Sequence, residues 1–234
     1  MIFSKRSILE EIRANLQKVN DDFGFAINED RLNISYQNND TLFKTSVRCQ
    51  NFGDVYLLNP QGIQISNNKI ENQFKKLILN QLIKYYDDDI TLLTTTSSLK
   101  IETDFIDYKI VDASQIKDIA KSVHNWLSMV VFEFLNNVID IKGISDFINC
   151  YSYQDNLKVN TGGLFPVQTF KKIYLLYLGG HIERYQEYKE GLYEQLISFP
   201  IRKPEKKEEA KIFLNNFNFI IKELESGNFE RTLS

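Results

Sequence analysis

The sequence predicts an α+β protein: a mainly antiparallel sheet packed by helices, followed by a helical C-terminal half with an αα-hairpin. Two periodicities carry that expectation. Between residues 25 and 66, apolar residues recur at every second position and are interrupted by turn-forming clusters; from Ser114 onward they recur at helical spacing. Composition is the third observation. A 43% hydrophobic and 13% aromatic chain, with 17 Phe and 12 Tyr, can fill a substantial core.

The elements follow in order. "SILEEIRANLQKVNDDFG" places Ile8, Ile12, Leu16 and Val19 at helical spacing before Asp21, Asp22 and Gly24 end the pattern. The next stretch alternates, as in Leu32-Ile34-Tyr36. Turn chemistry intervenes at Asn28-Glu29-Asp30, Asn38-Asn39-Asp40, Asn51-Gly53 and Asn59-Pro60-Gln61-Gly62. Roughly four or five antiparallel strands are expected there. "NKIENQFKKLILNQLIKYY" then reads as one helix with Asn67 or Asn68 as N-cap and a stripe through Ile70, Phe74, Leu77, Ile78, Leu82 and Tyr85. "ITLLTTT" and "FIDYKIV" return to strand composition, giving a sheet of roughly four to six strands in all.

"SQIKDIAKSVHNWLSMVVFEFLNNVID" predicts a long helix, apolar enough to be buried on more than one side. A short helix near "GISDFINCY" follows, then three helices over "VQTFKKIYLLYLGG", "HIERYQEYKEGLYEQL" and "EEAKIFLNNFNFIIKEL". "PIRKPEKKEE" between the last two reads as a linker. At 234 residues the chain exceeds a typical domain of ~100–200 residues. Two subdomains are expected, a sheet-containing 1–112 and a helical 113–234, or one compact unit.

A net charge of −3 argues against nucleic acid, whose binders carry a basic stripe. It leaves room for a basic protein partner. Cys49 and Cys150 have neither a CxxC pattern nor a nearby ligand histidine, so both read as core or near-core thiols. The opening "MIFSKRSILEEIR" lacks the apolar run of ~7–15 residues of a signal peptide. The most apolar stretch, "LSMVVFEFL", falls short of the ~18 residues of a membrane span. A soluble, cytoplasmic chain without membrane contact is expected.

Chemistry-bearing residues are few. In "TFKKIYLLYLGGHIERYQEYKEGLYEQL", one apolar stripe ends at Gly179-Gly180 and a second begins at Ile182, which describes a helical corner. His181 at that corner has Arg184 and Tyr185 at i+3 and i+4, so it lacks the paired ligand a zinc site needs. Neither "GGHIER" nor "NTGGLFPVQ" has the spacing of a phosphate-binding loop. No cofactor and no metal are expected. His124 has no local nucleophile or orienting carboxylate. Two acidic patches remain as contact points for a basic partner: Asp87, Asp88 and Asp89, and the hairpin helix with Glu183, Glu187, Glu190 and Glu194. Tyr185 and Tyr188 are the candidate anchors beside them.

With its leading helix running into "DDFGFAINEDRLNISYQ", then "FKTSVRCQNFGDVYLLNPQG", and a helical half with "KIYLLYLGGHIERYQEY", the chain resembles small bacterial domains of unknown function associated with polymorphic-toxin systems. The resemblance implies an α+β half followed by helical hairpins and a role as an immunity protein; it carries over no catalytic signature. The expected function is therefore non-catalytic protein binding that covers a partner's active site. The alternatives are an enzyme whose site assembles around His124 or His181 with Glu133 or Glu183, and a binder of a small apolar ligand.

Overall fold

The computed structural model describes residues 4–18, 23–38, 40–87, 89–94 and 108–226. Helix α1 (Lys5–Gln17) precedes strands β1 (Gly24–Asn28), β2 (Arg31–Asn38), β3 (Thr41–Phe52), β4 (Val55–Pro60) and β5 (Ile63–Asn67). Then come α2 (Asn68–Lys75), β6 (Leu92–Thr94) and β7 (Tyr108–Ile110). The helical half comprises α3 (Ile116–Trp126), α4 (Phe132–Asn137), α5 (Ile141–Asn149), α6 (Val167–Leu178), α7 (Ile182–Arg202) and α8 (Lys207–Glu225). The class is α+β, as the two periodicities predict, with seven strands in the sheet among the described residues.

The chain divides into two compact units, Met1–Ile65 with Thr94–Asn136, and Ser66–Leu93 with Asn137–Ser234. The division is interleaved, not a single cut at residue 112. A segment between the strands joins the C-terminal helices, while α3 and α4 belong with the sheet.

In the first unit, β1, β2, β3, β4 and β7 lie side by side, and each neighbouring pair is antiparallel. β5 pairs with β3 and β6. Register brings Leu32 opposite Val47 and Cys49 opposite Leu58. Because side chains alternate across a strand, these four fall on one face together with Ile34 and Phe43, and all six are buried. Helix α1 packs against β1, β2, β3 and α3, burying Ile8, Leu9, Ile12 and Leu16. Its start is fixed by a capping box between Ser4 and Ser7. α3 and α4 are joined by a π-helical turn at Leu127–Val131. Contrary to the expectation of burial on several sides, one side of this run is solvated through Lys117, Lys121, Asn125, Met129 and Glu133.

In the second unit, α6 packs against α5, α7 and α8. The helix expected over 68–86 stops early: α2 ends at Lys75, and a separate 3₁₀ turn covers Asn80–Tyr85. Asn216, buried on α8, is the physical reason. Its Oδ1 accepts from the Leu79 amide (3.0 Å) and its Nδ2 donates to the Leu77 carbonyl (2.8 Å), taking groups that a continuous helix would use itself. Conversely, α7 runs through Pro200, so the expected linker shrinks to a 3₁₀ turn at Pro204–Lys206. The expected strands at "ITLLTTT" and "FIDYKIV" reduce to β6 and β7, and residues 95–107 lie outside the described residues.

The two cysteines differ. Cys49 is buried and its thiol is pushed up to about 11 by burial, whereas Cys150 is exposed at the C-cap of α5. Because the thiolate is the nucleophile, a thiol-reactive reagent at neutral pH is expected to modify one cysteine of the native chain quickly, and peptide mapping should place it at Cys150. Cys49 should react only after denaturation; labelling of both at equal rates would contradict this packing.

Candidate functional site

The α6–α7 hairpin is the best-defined constellation of functional groups. α6 ends in a Schellman motif: the Gly180 amide donates to the Tyr177 carbonyl (3.1 Å) and the His181 amide to Leu176 (3.0 Å). Gly180 has φ +81, the left-handed region where glycine carries no steric cost. Gly179 is needed for a different reason, since a Cβ there would lie 2.1 Å from Ser145 Oγ. His181 becomes the N-cap of α7, and its carbonyl accepts from the Tyr185 amide (2.8 Å).

The His181 ring is not idle. Its Nε2 lies 2.7 Å from Asp146 Oδ1, and Lys142 donates to the same carboxylate at 2.9 Å. Burial works to raise the Asp146 carboxyl, but the hydrogen bonds from Lys142 and His181 outweigh it and hold it below the ordinary range. Asp146 and Lys142 are exposed. Among the described residues, no group of three or more His, Cys, Asp or Glu is placed to hold a metal ion.

Two adjacent lysines on α6 stand out more. Lys171 and Lys172 are both fully buried, although lysine is almost never so unless paired. Lys171 Nζ donates to Glu71 Oε2 (2.8 Å), to the Ile90 carbonyl (2.8 Å) and to the Asp87 carbonyl (3.1 Å). It also lies 5.0 Å from the centre of the Tyr86 ring. Glu71 in turn accepts from the hydroxyls of Tyr86 (2.6 Å) and Thr91 (2.7 Å), and Thr91 Oγ1 accepts from the Asn67 amide (2.8 Å). Burial raises the Glu71 carboxyl, opposed by Lys171 and by these hydrogen bonds. Among the described residues, Lys172 has no carboxylate partner. It donates to the Asn156 carbonyl, and burial lowers its amine to about 8. Sequence reading missed both lysines, for a doublet of lysines ordinarily marks a solvated face.

The expected contact residues separate into groups. Tyr185 and Tyr188 are buried, with hydroxyls donating to Glu225 (2.9 Å) and to the carbonyls of Tyr151 and Ser152 (3.3 Å each). They are interior residues and present no anchor to a partner. Glu187 is half-buried, accepting from the Tyr153 amide (2.8 Å) and pairing with Arg184. Glu183 is exposed in the first turn of α7. Asp87 is half-buried and its Oδ1 accepts from the amide of the exposed Asp89 (3.0 Å), whereas Asp88 lies outside the described residues. His124 is half-buried on α3 with Nδ1 lacking a partner among the described residues, and Glu133 is exposed on α4.

Compared with protein-family models, with curated proteins and with solved structures, the chain matches none. Among the described residues, no helix is long and apolar enough to cross a membrane.

Two measurements test this reading of the lysines. Lys171→Met leaves Glu71 buried without its counter-charge and is expected to destabilise the fold by about 3–5 kcal/mol in urea unfolding. Lys172 gives a pH signature. Its folded value, about 8, lies below the 10.5 of an ordinary lysine, so between those values the unfolded chain binds more protons. Stability therefore rises with pH across that window, by about 3 kcal/mol in full. The buried hydroxyls of Tyr174, Tyr185 and Tyr188 are raised by burial and reverse the trend above the ordinary tyrosine value of 10.0. The thiol of Cys49, raised by burial from 9.0 to about 11, opposes it already from about pH 9. The urea midpoint should therefore climb from pH 8 to 9 in the parent chain and fail to rise there in Lys172→Met.

Proposed function

We propose that this chain is a non-catalytic protein-binding module that covers a basic partner, in the inhibitor or immunity role suggested by its resemblance to toxin-associated domains. The observation that supports this reading is the outer side of α7. Its inward side buries Tyr185, Tyr188, Leu192 and Leu196. By helical geometry the opposite side carries Glu183, Glu190, Glu194, Ile197 and Ile201, all exposed. The three glutamates make no ion pair or hydrogen bond within the described residues. Ile201 is 79% and Ile197 45% exposed, and Tyr193, 45% exposed, borders them.

Unpaired carboxylates beside exposed apolar residues suit a partner with a basic rim around an apolar contact. The charges speed encounter and the apolar side chains lengthen residence. The helix is long, 21 residues, or about 31 Å at 1.5 Å per residue. The contact set therefore differs from the one expected from sequence: Glu183, Glu190 and Glu194 stay, Ile197 and Ile201 join them, and the buried Tyr185 and Tyr188 and the paired Glu187 leave it.

The test is retention of proteins from host lysate on the tagged chain, at low and moderate salt, with parent and variant columns run together. The expected result is one basic protein held stoichiometrically by the parent. Its retention should fall at least tenfold with Ile197→Ser/Ile201→Ser, and should become salt-insensitive and weak with Glu190→Lys/Glu194→Lys, while both variants keep the parent's circular dichroism. Equal retention by all three columns, or no retained protein, would overturn the reading.

A further inference from the structure

The first unit holds a second, unrelated feature. Arg31 on β2 and Arg48 on β3 stand directly opposite each other in the antiparallel register. The Cys49 amide donates to the Asp30 carbonyl at 2.7 Å, just outside that pair, which makes Arg31 and Arg48 a non-hydrogen-bonded pair, the kind in which facing side chains come closest. Like charges at directly opposed positions destabilise a sheet. Two arginines there call for a countervailing purpose or a counter-ion.

The chain supplies half a counter-ion. Asp30 Oδ2 takes Nε of Arg48 at 2.7 Å, and its Oδ1 lies 3.7 Å from Nε of Arg31. One carboxylate thus faces two guanidinium groups and engages both through their Nε edges. Their terminal Nη groups, the donors that form a bidentate fork, make no hydrogen bond within the described residues. The side chains are 46% and 38% exposed, so the forks are reachable. Lys5, at the start of α1, is near enough to help lower the Asp30 carboxyl, whose first cause is the Arg48 hydrogen bond. Both arginines, with Asp30, Ile27, Asn28 and Glu29, line an open groove of about 700 Å³, within the size range of small-ligand sites.

We propose that this groove is a binding site for a small oxyanion, a phosphate or carboxylate group gripped by the Nη forks of Arg31 and Arg48, with Asp30 holding the two guanidinium groups in place. Planar guanidinium groups match the paired oxygens of either anion. Such an anion neutralises the facing pair and removes the repulsion that Asp30 leaves uncompensated. Glu29, on the rim and without an ion pair among the described residues, works against anion binding and sets an upper limit on affinity.

The experiment follows backbone amide shifts of the full chain during titration with inorganic phosphate and, separately, acetate, at constant ionic strength made up with chloride. Saturable shifts confined to residues 27–31 and 47–49 are expected. A stronger response to phosphate assigns the phosphate form of the ligand, and a stronger response to acetate the carboxylate form. Arg31→Gln and Arg48→Gln should each weaken binding at least tenfold, and Glu29→Gln should strengthen it two- to threefold. Arg31→Gln should also melt no lower than the parent, because a repulsion has been removed; this separates lost binding from lost fold. The proposal is overturned if neither anion gives saturable shifts into the tens-of-millimolar range. It is overturned equally if both arginine variants bind like the parent, or if Arg6→Gln, at an exposed arginine of α1, weakens binding as much as they do.

Discussion

The second unit depends on a buried ion pair, Lys171 with Glu71. Moving two charges out of water is costly, and their attraction offsets that cost only when every remaining donor and acceptor is satisfied. Here that condition is met. Lys171 spends its three protons on Glu71 and on two main-chain carbonyls, and Glu71 receives two hydroxyls besides the ammonium. The partners come from α2, from the stretch between Tyr86 and Thr91, and from α6. Segments that are distant in sequence are therefore fixed by groups with few alternative partners. Apolar packing could hold α6 in several rotations about its axis; a fully hydrogen-bonded charge inside the core permits one.

This explains why the acidic stretch after Tyr86 is not a free loop. Its carbonyls at Asp87 and Ile90 are consumed by Lys171, and Leu164 donates its amide to the Tyr85 carbonyl (2.8 Å). The carbonyls of Tyr85, Asp87 and Ile90 are thus taken up from two sides, and the Asp87 carboxylate accepts from the Asp89 amide. On α7 the side chains divide. Tyrosines whose hydroxyls find Glu225 and the carbonyls of Tyr151 and Ser152 point inward, and unpaired glutamates point outward.

Much of this was legible in the sequence where a pattern is local. The sheet was, because alternation along Leu32, Ile34 and Tyr36 needs no knowledge of the partner strand. The helical corner was, because Gly179-Gly180 interrupts two apolar stripes. Tyr185 and Tyr188 lie on the second of those stripes, so their burial was already written in the spacing, and proposing them as anchors set residue type above position. What escaped reading was non-local. The early end of α2 is imposed by Asn216, 139 positions from Leu77. The burial of Lys171 and Lys172 follows from a helix packed on all sides, and the facing arginines emerge only once Arg31 and Arg48 are set in register. For the lysines a faint signal existed: in "TFKKIYLLYL" the neighbours are apolar around the whole helix, leaving the doublet no solvated side to occupy.

The interleaving of the two units bears on how the chain comes into being. A growing chain folds from its N-terminus as it leaves the ribosome. Residues 66–93 emerge before 94–136, yet they belong with helices made later than either. The first unit thus waits for α3, which packs on α1, before it is complete. Throughout that interval α2 keeps Ile70, Glu71 and Phe74, all buried in the finished fold, without the α6 that supplies Lys171. The nascent protein therefore carries an uncovered apolar turn, and an acid without its counter-charge, until α6 is synthesised about a hundred positions later.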